Sequence, residues 1–406
     1  MKLDDHADPA QLWQYAERYL GVGTRAYSQY SADLDIDDAY HPQRGPLSFA
    51  LPTFWVPYDS GEYLTNTIGS RLHSLYQRDD CFLLPVHPET FAMAGLADRE
   101  LLLKRCRRGP VLEVVPSANA RTTFVCKMDG APVAPHFLKL HFPKRSSRFT
   151  RRLRRPIISL QLWVSDELAA IEAPYLPEVG GGVVGHDRRE AWGFLLREPR
   201  PRHEQSLRYT VPLFALYGQD YWAPSDPTLL EQMIVRSGES PTVFTAERIV
   251  RPMVRLWVTV ALATGCALEM HGQNTLFTFS VGGATNIMYR DCGVYVDPAV
   301  RQARGARRQL PEINVISRDV EFPREQVFSL AYDSFMGHHV FSFIASLAKD
   351  RLGVNTVELQ NVAREEFASV EGSADLLPKT VYYYDSTLHP DGGWQLVDTG
   401  EPAEWR

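Results

Sequence analysis

The sequence predicts an α+β protein, with an antiparallel-sheet unit followed by a mostly helical unit that carries a β-hairpin. Three observations point there. Short β-like runs gather before residue 200, long apolar helical segments gather after it, and two strands flank a Gly282-Gly283 turn inside the helical half. Helices and hairpins in separate blocks argue against a doubly wound parallel sheet.

The first sixty residues hold one helix-like run, Ala10 to Leu20, and then an irregular stretch rich in Pro, Tyr and Asp. Strand-like runs follow at Cys81–Val86, Val111–Val115 and Phe137–Phe142; the first and third are apolar or alternating. Ile157 to Ile171 has apolar residues at near-helical spacing. Gly180 to Gly185 reads as a glycine-rich turn; without the Gly-Lys-Ser/Thr ending of a P-loop, a plain loop is favoured over a phosphate cradle. The polar, proline-punctuated stretch from Arg197 to Glu204 marks the end of the first unit. Beyond it, Thr245 to Leu268 is the clearest helix, and Thr275–Ser280 with Asn286–Asp291 forms the hairpin. Further helices are expected around Arg324–Asp350 and Thr356–Val370. The divisions are therefore 1–60, an N-terminal segment; 61–205, the sheet unit; and 206–406, the helical unit.

With 406 residues, 44% of them hydrophobic, the chain is long enough for two cores. The net charge of −6 gives no reason to expect a nucleic-acid or membrane partner. The polar start, Met1 to Asp8, lacks the basic and apolar regions of a secretory signal. Arg255 and Glu269 interrupt the longest apolar stretch, Met253 to Met270, which reads as a buried helix and not a membrane span. Five scattered cysteines without a C-x-x-C pair fit a reducing, cytoplasmic setting and argue against a zinc site or a disulfide framework. The cationic run from Lys144 to Arg155, with Arg148 inside it, offers only Phe149 for stacking on bases. It reads as a solvated face, except for Arg151.

Chemistry concentrates in Glu269-Met-His271-Gly-Gln273-Asn274, followed across the hairpin by Arg290-Asp291. A buried helix ending at Glu269 and a sharp turn at Gly272 would bring two carboxylates, two amides and an imidazole together. Hard oxygen ligands of this kind suit Mg²⁺ on nucleotide phosphates, and protein kinases set an Asn and an Asp across a comparable hairpin. Any one of these residues alone reads more simply as a cap or turn. Six polar groups around one apolar hairpin, at about 1–3 kcal/mol for each left unpaired, do not.

Glu-x-His-Gly-Gln-Asn followed by Arg-Asp resembles the palm signature of the siderophore synthetases that work without a nonribosomal peptide synthetase, the aerobactin-synthetase-like family. Upstream, Leu84-Pro-Val-His87-Pro is similar to the family's Pro-Val-His-Pro strand, and Pro116-Ser-Ala-Asn119-Ala-Arg121-Thr122 to its Ser-x-Arg-Thr loop. His136-Phe-Leu-Lys139-Leu, with Arg151 twelve residues on, is similar to its Lys-Leu strand and following arginine, and Leu377-Pro-Lys379 to its late lysine. The motifs keep family order from about residue 80 to residue 380. The resemblance implies that Asn119, Arg121, Thr122, Lys139 and Arg151 contact ATP, the cations holding its phosphates. It implies that Glu269, His271, Gln273, Asn274 and Asp291 hold nucleotide and Mg²⁺, with Glu269, Asn274 and Asp291 on the metal. Lys379 would face the carboxylate substrate, and Lys139, Arg151, His271 and Lys379 would be catalytic. The implied activity is ATP-dependent formation of an acyl adenylate, then amide or ester formation with an amine or alcohol. A carrier protein, a partner synthetase or a second copy of the chain is compatible with it.

The sequence departs from the family on the carboxylate side. The Gly-His-Pro-x-His-Pro-x-x-Lys motif is missing; His41-Pro42 is a half-match and Gly23-Thr-Arg25 a remnant. Asn119 replaces a serine while keeping a donor and an acceptor. Six residues or so are added near Met128-Asp129-Gly130, and Tyr382-Tyr-Tyr-Asp385 replaces the arginine expected beyond Lys379. ATP use is thus better supported than citrate use, and a different acyl donor is expected. Two other readings stay open: phosphoryl transfer, and a non-catalytic ATP-binding partner of a full-length synthetase. His87 is balanced between strand-end structure and substrate contact. His338-His339 reads as a helix-surface pair, since adjacent helical side chains diverge by about 100°, and Tyr382–Tyr384 as strand packing.

Overall fold

The computed structural model describes residues 8–406 apart from 29–30, 148, 188, 203, 205–207, 281, 307, 312–322 and 386–394. Residues 1–7 of the acidic start, Arg148 of the cationic run and His203 of the proline-punctuated stretch lie outside the described residues.

Antiparallel sheets dominate the first half. The largest has seven strands, in spatial order Phe49–Leu51, Leu112–Pro116, Thr122–Met128, Ala131–Leu140, Trp192–Arg197, Glu178–Val184 and Gly61–Thr65. Every neighbouring pair in it is antiparallel. A second sheet pairs Thr53–Pro57 with Cys81–Pro85 and Arg107–Arg108. Strands from before residue 60 thus pair with strands well beyond it. The added turn is a two-residue hairpin connection, Asp129 and Gly130 at φ 48° and 78°, facing each other across Met128 and Ala131. Positive φ at both positions gives the twist that antiparallel strands favour.

The glycine run is not a turn. Glu178–Val184 is a fully buried strand inside the large sheet. A Cβ at Gly182 would sit 2.6 Å from the Phe82 ring, so this glycine makes room for an aromatic side chain. The helix Arg155–Ala170 lies over this part of the sheet, where Ile158 and Leu162 join Val183 and Leu195 in one apolar cluster.

In the second half, Pro241–Thr245, a π-helical turn over Ala246–Val250 and Arg251–Thr264 run on as one helical rod. It stops earlier than its apolar composition suggests. Gly265, at φ 75°, closes the helix, and Cys266–Ala267 leaves as a short strand beside Tyr295–Val296. Glu269 therefore sits in irregular, tightly turning chain beyond that strand, not at a helix end. The hairpin strands Thr275–Phe279 and Thr285–Tyr289 form a three-stranded sheet with Tyr209–Pro212. A second, longer π-helical segment, Leu330–Phe341, leads into the helix Ser342–Leu352. π-helical turns are rare and recur at functional sites. Among the described residues, no helix is long and apolar enough to cross a membrane, and all five cysteines are free.

The first helix, Pro9–Tyr19, ties the halves together. Trp13 packs against Phe137 of the large sheet at 5.0 Å, and Glu17 pairs with Arg290 beyond the hairpin. Arg18 is 1% exposed and bonds the carbonyls of Pro42, Gly45, Pro46 and Leu47 at 2.6–3.0 Å. His41 accepts the N–H groups of Gln43 and Arg44 on Nδ1, so the half-matched His-Pro pair serves this loop's turn.

Candidate active site

Hairpin register builds the site. Thr275 faces Tyr289, so the residues just outside the pair, Asn274 and Arg290, meet next, and the Arg290 N–H donates to the Asn274 carbonyl at 2.9 Å. Asp291 then enters the left-handed region at φ 86°, unusual for a residue with a side chain. Its neighbours hold it there. The Cys292 N–H donates to Glu178 Oε2 at 3.2 Å, and the Arg290 guanidinium donates to the Gln273 carbonyl at 2.8 Å. Strained backbone held by its surroundings is a mark of functional sites.

Lys139 comes from the opposite wall. It stands near the end of the Ala131–Leu140 strand, 2% exposed, and donates to Asp291 Oδ1 at 2.6 Å and to Gln161 Oε1 at 2.7 Å. Burial pulls the ammonium's pKa down while Asp291 pulls it back up. Burial would raise the pKa of Asp291, but Lys139, Arg197 and Arg121 hold it well below the usual carboxylate range. Arg197 is itself locked to buried Glu178 at 2.6 Å.

Glu269 behaves differently. Burial, then the charge of Asp291, push its pKa up to about 7, against the pull of Arg151 and Lys139. Burial lowers His271 to about 4, so the ring is neutral. Its Nδ1 accepts the Gln273 N–H at 3.3 Å, which puts the ring proton on Nε2 as a donor. Gly272 is required here, because a Cβ would lie 2.3 Å from the Tyr217 hydroxyl.

These groups line one cavity. Asn119, Arg121, Lys139 and Arg151 face Glu269, His271, Gln273, Asn274 and Asp291 across it. Asn119 also accepts the Thr122 N–H at 2.8 Å, which fixes the loop that presents Arg121. Two expected residues do not line it. Thr122 is a buried strand residue paired with Lys139, and Lys379 is solvent-exposed. His87 caps a short helix, its Nδ1 accepting the Glu89 N–H at 3.2 Å, and does not line the cavity.

Several site residues gave no sequence signal of their own. Gln161, Glu178 and Arg197 come from separate segments and support Lys139 and Asp291; the clue was a polar side chain within an apolar run, Gln161 in Leu160-Gln-Leu-Trp. Arg25 lines the cavity as well. His339 is not a surface residue but 3% exposed, and it lines the cavity with Tyr27, Phe335, Tyr383 and Tyr384. The tyrosine run therefore does more than pack a strand.

The fold is that of the siderophore synthetases that work independently of nonribosomal peptide synthetases, as the motifs suggested. In particular, the chain is similar to the petrobactin biosynthesis protein AsbB from Bacillus anthracis str. Sterne, with a TM-score of 0.70, 13% identity, and coverage of 92% of this chain and 71% of AsbB. It is also similar to the ATP-bound aerobactin synthetase IucA from a hypervirulent pathotype of Klebsiella pneumoniae, with a TM-score of 0.67, 16% identity, and coverage of 99% and 80%. Aerobactin synthetase IucC from the same source gives a TM-score of 0.61 at 16% identity, covering 88% and 69%. A family described as ferric iron reductase FhuF-like transporter matches residues 246–380, the stretch with the hairpin and the long π-helical segment. No curated protein matches the sequence.

Proposed function

We propose that the chain is an ATP-dependent ligase of siderophore or related natural-product biosynthesis, with a fingers-like unit that takes in the strands from Phe49 to Arg197 and a palm-like unit over 206–406. It would activate a carboxylate as an acyl adenylate and join it to an amine or alcohol. One observation carries this reading: Arg25, Arg121, Lys139, Arg151 and Arg152 line a cavity that holds only two carboxylates among the described residues, Glu269 and Asp291. Arg121 and Arg151, both half-buried, form no ion pair among the described residues, so the nearby carboxylates offset their charge only in part. A polyphosphate supplies the missing charge.

In this reading, a carboxylate oxygen attacks the α-phosphorus, the bond to the β,γ-phosphates breaks, and pyrophosphate leaves. The amine or hydroxyl then attacks the acyl carbon and releases AMP. Arg121, Lys139 and Arg151 stabilise charge that develops on phosphate oxygens, and the His271 Nε2–H donates to the same region. Among the described residues, no cluster of three or more His, Cys, Asp or Glu could hold a metal unaided. Glu269, Asn274 and Asp291 would nevertheless hold Mg²⁺, since all three line the cavity with hard oxygen donors and the charge of Asp291 adds to burial in raising the pKa of Glu269. When bound, Mg²⁺ would neutralise phosphate charge. The ATP bound to IucA supports the nucleotide assignment.

The test is product analysis with hydroxylamine as the nucleophile and a panel of carboxylates. AMP and pyrophosphate are expected. ADP would favour phosphoryl transfer, and ATP binding without turnover would mark a non-catalytic partner.

A further inference from the structure

One end of the cavity is left unused by this phosphate chemistry. Tyr27 stacks on His339 with centroids 3.8 Å apart and planes 17° from parallel. Tyr383 meets His339 edge-on at 5.5 Å, and Phe335 lies 5.4 Å away. His339 is 3% exposed, and its Nε2 has no hydrogen-bond partner among the described residues. Its carbonyl accepts from the Tyr217 hydroxyl at 3.2 Å, which fixes the residue in place. An unpartnered buried polar atom costs about 1–3 kcal/mol, and a ligand atom at that position removes the cost.

The surroundings select the ligand. Walls of aromatic rings favour a flat ring over an aliphatic polyacid. Arg25 and Arg151 line the same cavity, and their charges act on the Tyr27 hydroxyl. Arg25 donates to the Ala118 carbonyl at 2.8 Å and, like Arg151, pairs with no carboxylate among the described residues. Two such cations repel an ammonium group and attract an anion. Lys379, the expected carboxylate partner, lies outside the cavity.

We propose that this end takes the acyl donor as an aromatic carboxylate bearing a ring hydroxyl. The ring lies against Tyr383 and Phe335, its hydroxyl meets His339 Nε2, and its carboxylate points to Arg151. The fate of that carboxylate rests on the ligase reading; its binding does not.

Calorimetry on the full chain tests this with 4-hydroxybenzoate, cyclohexanecarboxylate and citrate, and with ATP titrated separately. 4-Hydroxybenzoate should bind at least tenfold more tightly than either of the others. His339→Ala and Tyr383→Leu should each weaken it at least tenfold while ATP affinity stays within twofold. Melting temperatures identify a misfolded variant, in which case the other variant decides. Citrate binding without 4-hydroxybenzoate binding overturns the proposal. So do equal losses for ATP and 4-hydroxybenzoate, which would give the rings to the nucleotide base. If 4-hydroxybenzoate binds and ATP does not, the ligase reading falls and the aromatic subsite stands.

Discussion

Lys139 and Asp291, 152 residues apart in sequence, meet at 2.6 Å and join the large sheet to the hairpin. Each compensates the other's burial, and Gln161 and Arg197 hold the pair from behind. Asp291→Asn keeps the shape and the contact with Lys139 but removes the charge. Turnover to AMP should fall about 100- to 1,000-fold, the scale of losing one electrostatic contact to a reacting group. Melting temperature should fall as well, because the buried Lys139 ammonium loses its counter-charge, and steady-state assays well below the unfolding transition, beside calorimetry, check both.

Gly272→Ala places a methyl group against the Tyr217 hydroxyl, 2.3 Å away. Overpacking of this kind costs about 1–3 kcal/mol. Removing the hydroxyl with Tyr217→Phe should recover much of the lost stability in the double variant. Urea unfolding of the single and double variants measures this coupling.

Lys379 is exposed and outside the cavity. Lys379→Ala should therefore change kcat/KM less than twofold, whereas Arg151→Ala should lower it at least 100-fold. A large loss in Lys379→Ala would return the carboxylate site to that lysine.

Arg406 forks onto buried Asp333 at 2.8 and 3.0 Å, with its neighbour Trp405 packed beside Phe341. Arg406→Ala leaves a buried carboxylate without its counter-charge, with only the Ser329 hydroxyl, among the described residues, donating to it at 2.7 Å, and should destabilise by about 3–5 kcal/mol. Asp333→Asn combined with Arg406→Ala should cost less than the two single changes together. Chemical unfolding of all four proteins gives the coupling.

Buried histidines outside the cavity make stability depend on acid. Burial depresses His87 to about 3, His136 to about 4 and His141 to about 3. Each is held neutral in the fold and titrates near 6.5 once unfolded, so its contribution is complete above about pH 6.5 and is lost as the pH falls towards 3–4. The slope reaches at most about 1.4 kcal/mol per pH unit for each group. Urea midpoints at pH 7.5, 6.0 and 5.0 should fall in that order. His136→Gln, which removes the ring that accepts from Tyr76 at 2.7 Å, should flatten the trend.

The polar side of the site was legible because its residues are crowded into Glu269–Asn274 and Asp291, where a hairpin makes sequence neighbours into spatial ones. The aromatic side was not, since Tyr27, Phe335, His339 and Tyr383 come from three distant segments and each reads alone as packing. Burial of His339 was missed because local spacing does not reveal which helix face the N-terminal segment covers. The glycine run misled for a related reason: only the neighbouring strands show that Gly182 yields space to Phe82. The end of the long helix at Thr264 was set by Gly265, whereas the apolar pattern ran on past it.

The widened helix at Leu330–Phe341 has a consequence for how such a cavity can diversify. Ordinary α-helical winding and π-winding differ by one residue per hydrogen-bonded ring, so a single-residue deletion there would tighten the coil without breaking it. Phe335 and His339 would then rotate away from the ligand while the hairpin and its carboxylates stayed in place. In the proposed ligase, one codon would thereby re-specify the accepted acid and leave the energy-supplying half of the reaction unchanged.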